Sequence, residues 1–270
     1  MSAPLGFVLP AFVINLDFQV GRKAFMAQQL QALGMPFEIV AAVKGKTLQP
    51  AFVSTIYDEQ QTLKTQGKPL SLGEIGCALS HLSIFRKMLD NHIPASLILE
   101  DDALLHQDLG KVLQPLAQRI VTETQPVVYL LTHLIRYKRN PAVAVVPNYA
   151  LHPMVDACCA HGYLINKAAA EQMLQLFSPI TYPIDAWKRI AETGRIKISG
   201  LHPYVVGHSQ YAQDSNIEQA RGRVSDDFEP KGWDRIRFDS RFYVYEKFLF
   251  QIWKFVAGLK KQKKLPWDLG

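Results

Sequence analysis

Three consecutive carboxylates, Glu100-Asp101-Asp102, follow the apolar run Ser96–Leu99. Carboxylates held this close raise one another's pKa, and a divalent cation removes that cost. Hard oxygen ligands suit Mg²⁺ or Mn²⁺, commonly with one or two carboxylates on the ion and substrate phosphates completing its shell. In an extended chain Glu100 and Asp102 point one way and Asp101 the other. The pattern therefore reads as a metal–diphosphate site built on Asp102 and Glu100; its other reading is a solvated acidic turn that caps the next helix. A second polar group lies upstream in Ser71-Leu-Gly-Glu-Ile-Gly-Cys-Ala-Leu-Ser-His81. Ser71 and Glu74 have capping-box spacing. Gly73 and Gly76 each cost about 1 kcal/mol relative to Ala inside a helix, which points to close approach of backbone or ligand. Glu74, Ser80 and His81 then supply polar groups one to two turns on. Taken alone, His81 reads as a core histidine with one satisfied nitrogen.

The elements that must place these groups alternate between strand and helix. Strands are expected at Phe12–Leu16, Phe37–Val43, Ser96–Leu99, Val127–Leu131, Gly162–Ile165 and Ile196–Ser199, with a hairpin of Ala142–Val146 and Tyr149–Leu151 around Pro147-Asn148. Helices are expected at Arg22–Leu33, Pro50–Lys64, from the Ser71 cap to about Asn91, and at Leu109–Ile120, Lys167–Phe177 and Ala186–Thr193. Ser209–Arg237 is polar and reads as a mobile loop. Such alternation implies an α/β fold whose sheet is mostly parallel in its first half, with ligands bound beyond the carboxyl ends of the strands.

The 270 residues are 48% hydrophobic and 20% charged, which excludes low-complexity and wholly disordered chains. No apolar run approaches the ~20 residues of a membrane-spanning helix. Three cysteines, Cys77, Cys158 and Cys159, form no disulfide framework and lack zinc-ligand spacing. The formal charge of +6 is concentrated near the C-terminus. Lys247, Lys254, Lys260, Lys261, Lys263 and Lys264 face only Glu246 there, so the rest of the chain is nearly neutral and no nucleic-acid footprint covers it. Tyr245, Phe248, Leu249, Ile252, Trp253, Phe255, Val256 and Leu259 give that segment an apolar face at helical spacing. It reads either as an amphipathic basic helix lying on an anionic membrane surface or as a helix packed on the core. The expected division is one domain over residues 1–240 and a helix and tail over 241–270. Met1–Pro10 lacks the positive start of a secretory signal, so a cytoplasmic protein is expected.

The run Leu70–His81 followed by Leu97-Ile-Leu-Glu-Asp-Asp-Ala103 resembles glycosyltransferase family 25, the bacterial lipooligosaccharide sugar transferases. Val13-Ile-Asn-Leu16 with Arg22-Lys23, His161-Gly-Tyr-Leu-Ile165 and Pro183-Ile-Asp185 fit the same pattern, and the likeness covers about residues 10–220. One departure is Asp17-Phe18, where members often carry an Arg. The resemblance implies a GT-A type fold and transfer of a hexose, galactose first, from a UDP-sugar such as UDP-galactose to a lipooligosaccharide acceptor. It implies a peripheral location on the inner leaflet and, by analogy, inversion at the sugar. Asp102 and Glu100 would hold Mn²⁺ or Mg²⁺, with His208 as a further ligand. Asp101, Asn15 and Arg22 would contact the donor, and Glu74, Ser80 and His81 would line its pocket or brace the acidic loop. Asp185 would serve as general base, its other role being an N-cap. A metal-dependent phosphoester hydrolase and a non-catalytic, membrane-docked sugar-binding protein are the competing readings.

Overall fold

Short β-branched runs that are apolar on both faces need helices above and below them, and the computed structural model of the chain has this layering. It describes residues 9–214 and 258–268. The first half comprises β1 (Ala11–Asn15), α1 (Val20–Ala32), β2 (Phe37–Ala41), α2 (Pro50–Ile56), α3 (Glu59–Gln66), α4 (Leu72–Asp90), β3 (Ala95–Glu100), β4 (Ala103–Leu105) and α5 (Leu109–Thr122). The second half comprises β5 (Val127–Leu130), β6 (Leu134–Lys138), β7 (Val143–Val146), β8 (Tyr149–Ala157), β9 (Gly162–Asn166), α6 (Lys167–Leu176), α7 (Trp187–Glu192), β10 (Lys197–His202), β11 (Val206–His208) and β12 (Leu259–Lys260).

One large sheet runs in the order β12-β6-β8-β10-β5-β9-β3-β1-β2, with β7 paired to β8, while β4 and β11 form a separate ribbon. β2, β1 and β3 are parallel, as expected for the first half, and β10 is parallel to β5. β9 inserts antiparallel between β3 and β5, and β8 and β6 extend the sheet antiparallel, so the whole sheet is mixed. Alternate residues of the central strands feed two cores. Phe12, Ile98 and Tyr163 pack with Ile75, Phe85 and Met88 of α4 and with Trp187. Val13, Leu97, Leu99 and Leu164 pack with Met26 and Leu30 of α1 and with Val112 and Leu116 of α5.

Ser71 caps α4 in a full capping box: its hydroxyl accepts from the Glu74 amide while the Glu74 carboxylate accepts from the Ser71 amide. The close approach expected at Gly76 is one of backbone on backbone. A Cβ there would lie 2.6 Å from the Val43 carbonyl oxygen, so α4 seats directly against the loop that follows β2.

The expected single helix over Pro50–Lys64 is two, α2 and α3, divided at Tyr57-Asp58, where Asp58 caps α3. The strands β4, β6 and β11 were not expected. The lysine-rich end of the C-terminal segment is extended rather than helical: Leu259-Lys260 pairs with β6, and Lys261–Asp268 continues along the protein. The part of the expected 241–270 helix before residue 258, the 240/241 boundary and most of the Ser209–Arg237 loop lie outside the described residues. Among the described residues no helix is long and apolar enough to cross a membrane.

Candidate functional site

The carboxyl ends of β1 and β3 meet the start of β9 and the β4–β11 ribbon, and the chemistry-bearing side chains converge there. β3 ends at Glu100, and Asp101 and Asp102 form a turn, so strand alternation does not govern where Asp102 points. The three carboxylates have separate fates.

Asp101 is buried and fully engaged. The Asn15 amide donates to its Oδ2 at 2.7 Å, and Arg22 Nη1 donates to Oδ1 at 3.1 Å. Burial raises its pKa, with Arg22 and Asn15 pulling the other way. Arg22 also donates to the Tyr211 carbonyl at 2.8 Å, tying the chain after β11 to the acidic corner. Asn15, Arg22 and Asp101 are thus brought together as expected of one site. Arg22 is buried, not an exposed helix-start cation.

Glu100 faces α4. His81, fully buried, bonds Glu100 Oε1 through Nε2 at 3.1 Å and the Tyr163 hydroxyl through Nδ1 at 2.8 Å, and its ring stacks on Tyr163. Both of its nitrogens are used, where one was expected. Cys77 Sγ also donates to Glu100 Oε1 at 3.9 Å. Burial works to raise the Glu100 pKa, but the His81 hydrogen bond and the fields of His81, His161 and His208 outweigh it and hold the carboxyl below its ordinary value.

Asp102 is different. Its Oδ1 is buried with no hydrogen-bond partner, and burial together with the charges of Glu100 and Asp101 pushes its pKa up to about 7. A buried oxygen without a donor, in a carboxyl surrounded by other carboxylates, is what a cation would relieve. His208 sits beside it: β11 pairs with β4 so that His208 lies opposite Ala103, and the Ser209 amide donates to the Asp102 carbonyl at 2.9 Å. The expected ligand trio of Glu100, Asp102 and His208 is nevertheless not one of the converging groups, because the Glu100 carboxylate is turned to His81 and Cys77. Among the described residues the ligand atoms that converge within 4.8 Å are those of Cys159, His161 and His208, and those of Cys77, His81 and Glu100.

The first of these groups was not found from the sequence. Cys159 and His161 precede β9, and their only signal is a Cys-x-His spacing at a strand start; His208 is 47 positions further on. Gly162 permits the encounter, since a Cβ there would lie 2.6 Å from Val206 Cγ1 and hold β11 away. The His161 and His208 ring centroids are 4.0 Å apart. Neither His161 nitrogen has a hydrogen-bond partner although the residue is only 2% exposed, and burial pushes its pKa down to about 3. His208 is likewise pushed down by burial. Asp268 opposes that shift, accepting from the His208 amide at 2.8 Å. Cys159 donates to Cys158 Sγ; that bond, burial and the nearby Asp185 push its thiol up.

Three expected residues serve the framework. Ser80 accepts from the Val43 amide and donates to the Gly76 carbonyl, which occupies its hydroxyl in docking α4, and Glu74 is held in the capping box. Asp185 does not cap α7, whose N-cap is Ala186. Its Oδ2 accepts instead from the Cys159 amide at 3.1 Å, while Trp187 Nε1 donates to the Cys159 carbonyl at 3.0 Å, so the two residues pin the turn that carries Cys159 and His161. His202 lies elsewhere, hydrogen-bonded to Gln262 and stacked on Tyr137.

Residues 8–187 match the model of a family described as glycosyltransferase family 25 (LPS biosynthesis protein). The chain is 24% identical over 247 residues to procollagen galactosyltransferase 1 of Danio rerio, covering 83% of this chain and 39% of that one. It is 26% identical over 223 residues to procollagen galactosyltransferase 2 of Homo sapiens, covering 74% of this chain and 35% of that one. The chain thus spans well under half the length of these relatives. A crystal structure of a glycosyltransferase involved in the glycosylation of the major capsid of PBCV-1 aligns over 80% of this chain and 100% of its own, at 9% identity and a TM-score of 0.39.

Proposed function

The chain belongs to glycosyltransferase family 25, and from that premise we propose that it transfers a hexose, galactose first, from a UDP-sugar to a lipooligosaccharide acceptor, with inversion and in a GT-A type arrangement. The observation that carries this reading is Asp102 Oδ1, a buried oxygen without a partner at the carboxyl end of β3, in a carboxyl whose pKa is pushed up to about 7. Asp102 fits a divalent cation, whereas the Glu100 carboxylate is held by His81 and the His208 ring converges on Cys159 and His161. Mn²⁺ or Mg²⁺ there would supply Lewis-acid neutralisation of the departing nucleoside diphosphate.

The remaining work falls to side chains. Asp101, with both oxygens spent on Asn15 and Arg22, holds the donor corner in shape. Arg22 couples that corner to Tyr211, so the segment after β11 and the donor pocket order together and exclude water from the nucleotide sugar. His81 and Glu74 act from behind, by orienting Glu100 and by fixing the start of α4. Asp185, held by the Cys159 amide, is our general base for the acceptor hydroxyl. Lys260, Lys261, Lys263 and Lys264 would bring the enzyme to anionic lipid on the inner leaflet, where a lipid-linked acceptor resides.

Calorimetry of UDP binding with and without Mn²⁺ tests the core of the reading. Metal-dependent affinity that Asp102→Asn abolishes is the expected result; affinity indifferent to metal and to that substitution overturns it. A donor panel read by nucleoside diphosphate release separates transfer, which needs acceptor, from hydrolysis, which does not. A chain with those four lysines replaced by Gln should lose co-sedimentation with anionic vesicles.

A further inference from the structure

We infer that Cys159, His161 and His208 form a binding site for a transition-metal ion of the zinc class, chemically distinct from the hard-cation site at Asp102. The inference stands on what these side chains lack. His161 is 2% exposed, and neither ring nitrogen makes a hydrogen bond of normal geometry; His208 Nδ1 is buried, and the Asp268 carboxylate it faces stands 3.6 Å away, beyond hydrogen-bond distance. A buried imidazole with both nitrogens unsatisfied loses its hydration without compensation, at a cost of about 1–3 kcal/mol per group. The cluster of Cys77, His81 and Glu100 has a similar make-up and gives the control, because there both imidazole nitrogens are spent on Tyr163 and Glu100.

The donors are also held in place. Cys159 stands at φ 70° in a turn pinned by the Asp185 carboxylate and the Trp187 indole. His208 is placed by the β4–β11 pairing and by Asp268, whose Oδ1 accepts from the His208 amide and lies 3.6 Å from its Nδ1. A carboxylate behind a ligating imidazole is the usual means of orienting it. Asp268 is itself held by the Tyr204 hydroxyl at 3.0 Å, so the segment after β12 becomes part of the site. Two imidazoles and a thiolate suit Zn²⁺, with a fourth position left for water or substrate, whereas Mg²⁺ and Mn²⁺ prefer carboxylate and water. Binding replaces the Cys159 S–H bond by a sulfur–metal bond and releases that proton to solvent.

The test is titration of the full chain, stripped with chelator and kept reduced, with Co²⁺ as the probe. One Co²⁺ per chain is expected, with tetrahedral d–d absorption and a thiolate-to-cobalt charge-transfer band in the near ultraviolet, both bleached by Zn²⁺. Cys159→Ser should abolish the charge-transfer band, and Cys159→Ser and His161→Gln should each weaken binding by at least about tenfold. Cys158→Ser and Cys77→Ser should keep the band. Circular dichroism checks that each variant is folded, and Cys159→Ser decides the matter if His161→Gln is not. No Co²⁺ uptake by the parent chain, or a band that survives Cys159→Ser or follows Cys158 or Cys77, overturns the inference. Asp102→Asn is expected to spare the band, so this site and the transferase reading fail independently.

Discussion

Two clusters of similar composition meet across the backbone bond from the Glu100 amide to the His161 carbonyl. On one side His81 bridges Glu100 and Tyr163, and every polar atom of the ring is used. On the other, the His161 and His208 rings lie tilted at 43° with centroids 4.0 Å apart, with orphaned nitrogens beside a cysteine thiol. The acidic triplet repeats the contrast, since Asp101 is saturated by Asn15 and Arg22 while Asp102 keeps a buried oxygen without a donor. Satisfied groups hold a site in shape. Unsatisfied ones have coordination to offer, and residue type alone does not tell which is which.

Breaking the satisfied side should cost most. Asp101→Ala leaves the buried Arg22 cation without its carboxylate, and we expect a loss of about 3–5 kcal/mol in urea unfolding. The Asp102 carboxyl should reveal itself through pH. Its folded pKa is raised from 3.8 to about 7, so the protonated form is favoured in the fold. Its contribution to stability is therefore full below about pH 4 and is lost as pH rises through 7. Thermal melts of metal-free protein should show this decline, Asp102→Asn should flatten it, and Mn²⁺ should offset it near pH 8.

The two histidine clusters give a sharper pair. His81→Gln should destabilise by about 1–3 kcal/mol, because Glu100 and Tyr163 lose a buried partner. His161→Leu should leave the metal-free melting temperature unchanged or higher, since it removes an unsatisfied group. Equal losses in both variants would erase the distinction between them. The smallest effect belongs to the α4 cap, where Ser71→Ala should cost about 1 kcal/mol by denaturant unfolding.

Much of this was legible in the residues. Apolar runs and punctuating glycines located the strands and helices of the sheet, and Ser71 with Glu74 announced the start of α4. Three carboxylates after an apolar strand marked the corner that matters. Less legible were β4, β6 and β11, which lack a strong periodic pattern and exist because partner strands pair with them. Which of the two expected roles Ser80 and Glu74 play was not legible either: a hydroxyl or carboxylate on a helix near a site looks the same whether it faces a ligand or a neighbouring backbone amide.

What the sequence by itself determined was the order of elements, the chemical kinds of the candidate groups and where the acidic corner falls in the chain. Only the tertiary structure decided which carboxylate keeps an unpartnered oxygen, because the groups that saturate Asp101 come from 79 and 86 positions away. It also decided that Cys159 and His161 meet His208, which requires β9 to enter the sheet antiparallel beside β3 and β11 to fold back on β4. Coordination and hydrogen bonding act over about 3 Å, and contacts that short between distant residues are fixed by packing, not by spacing along the chain.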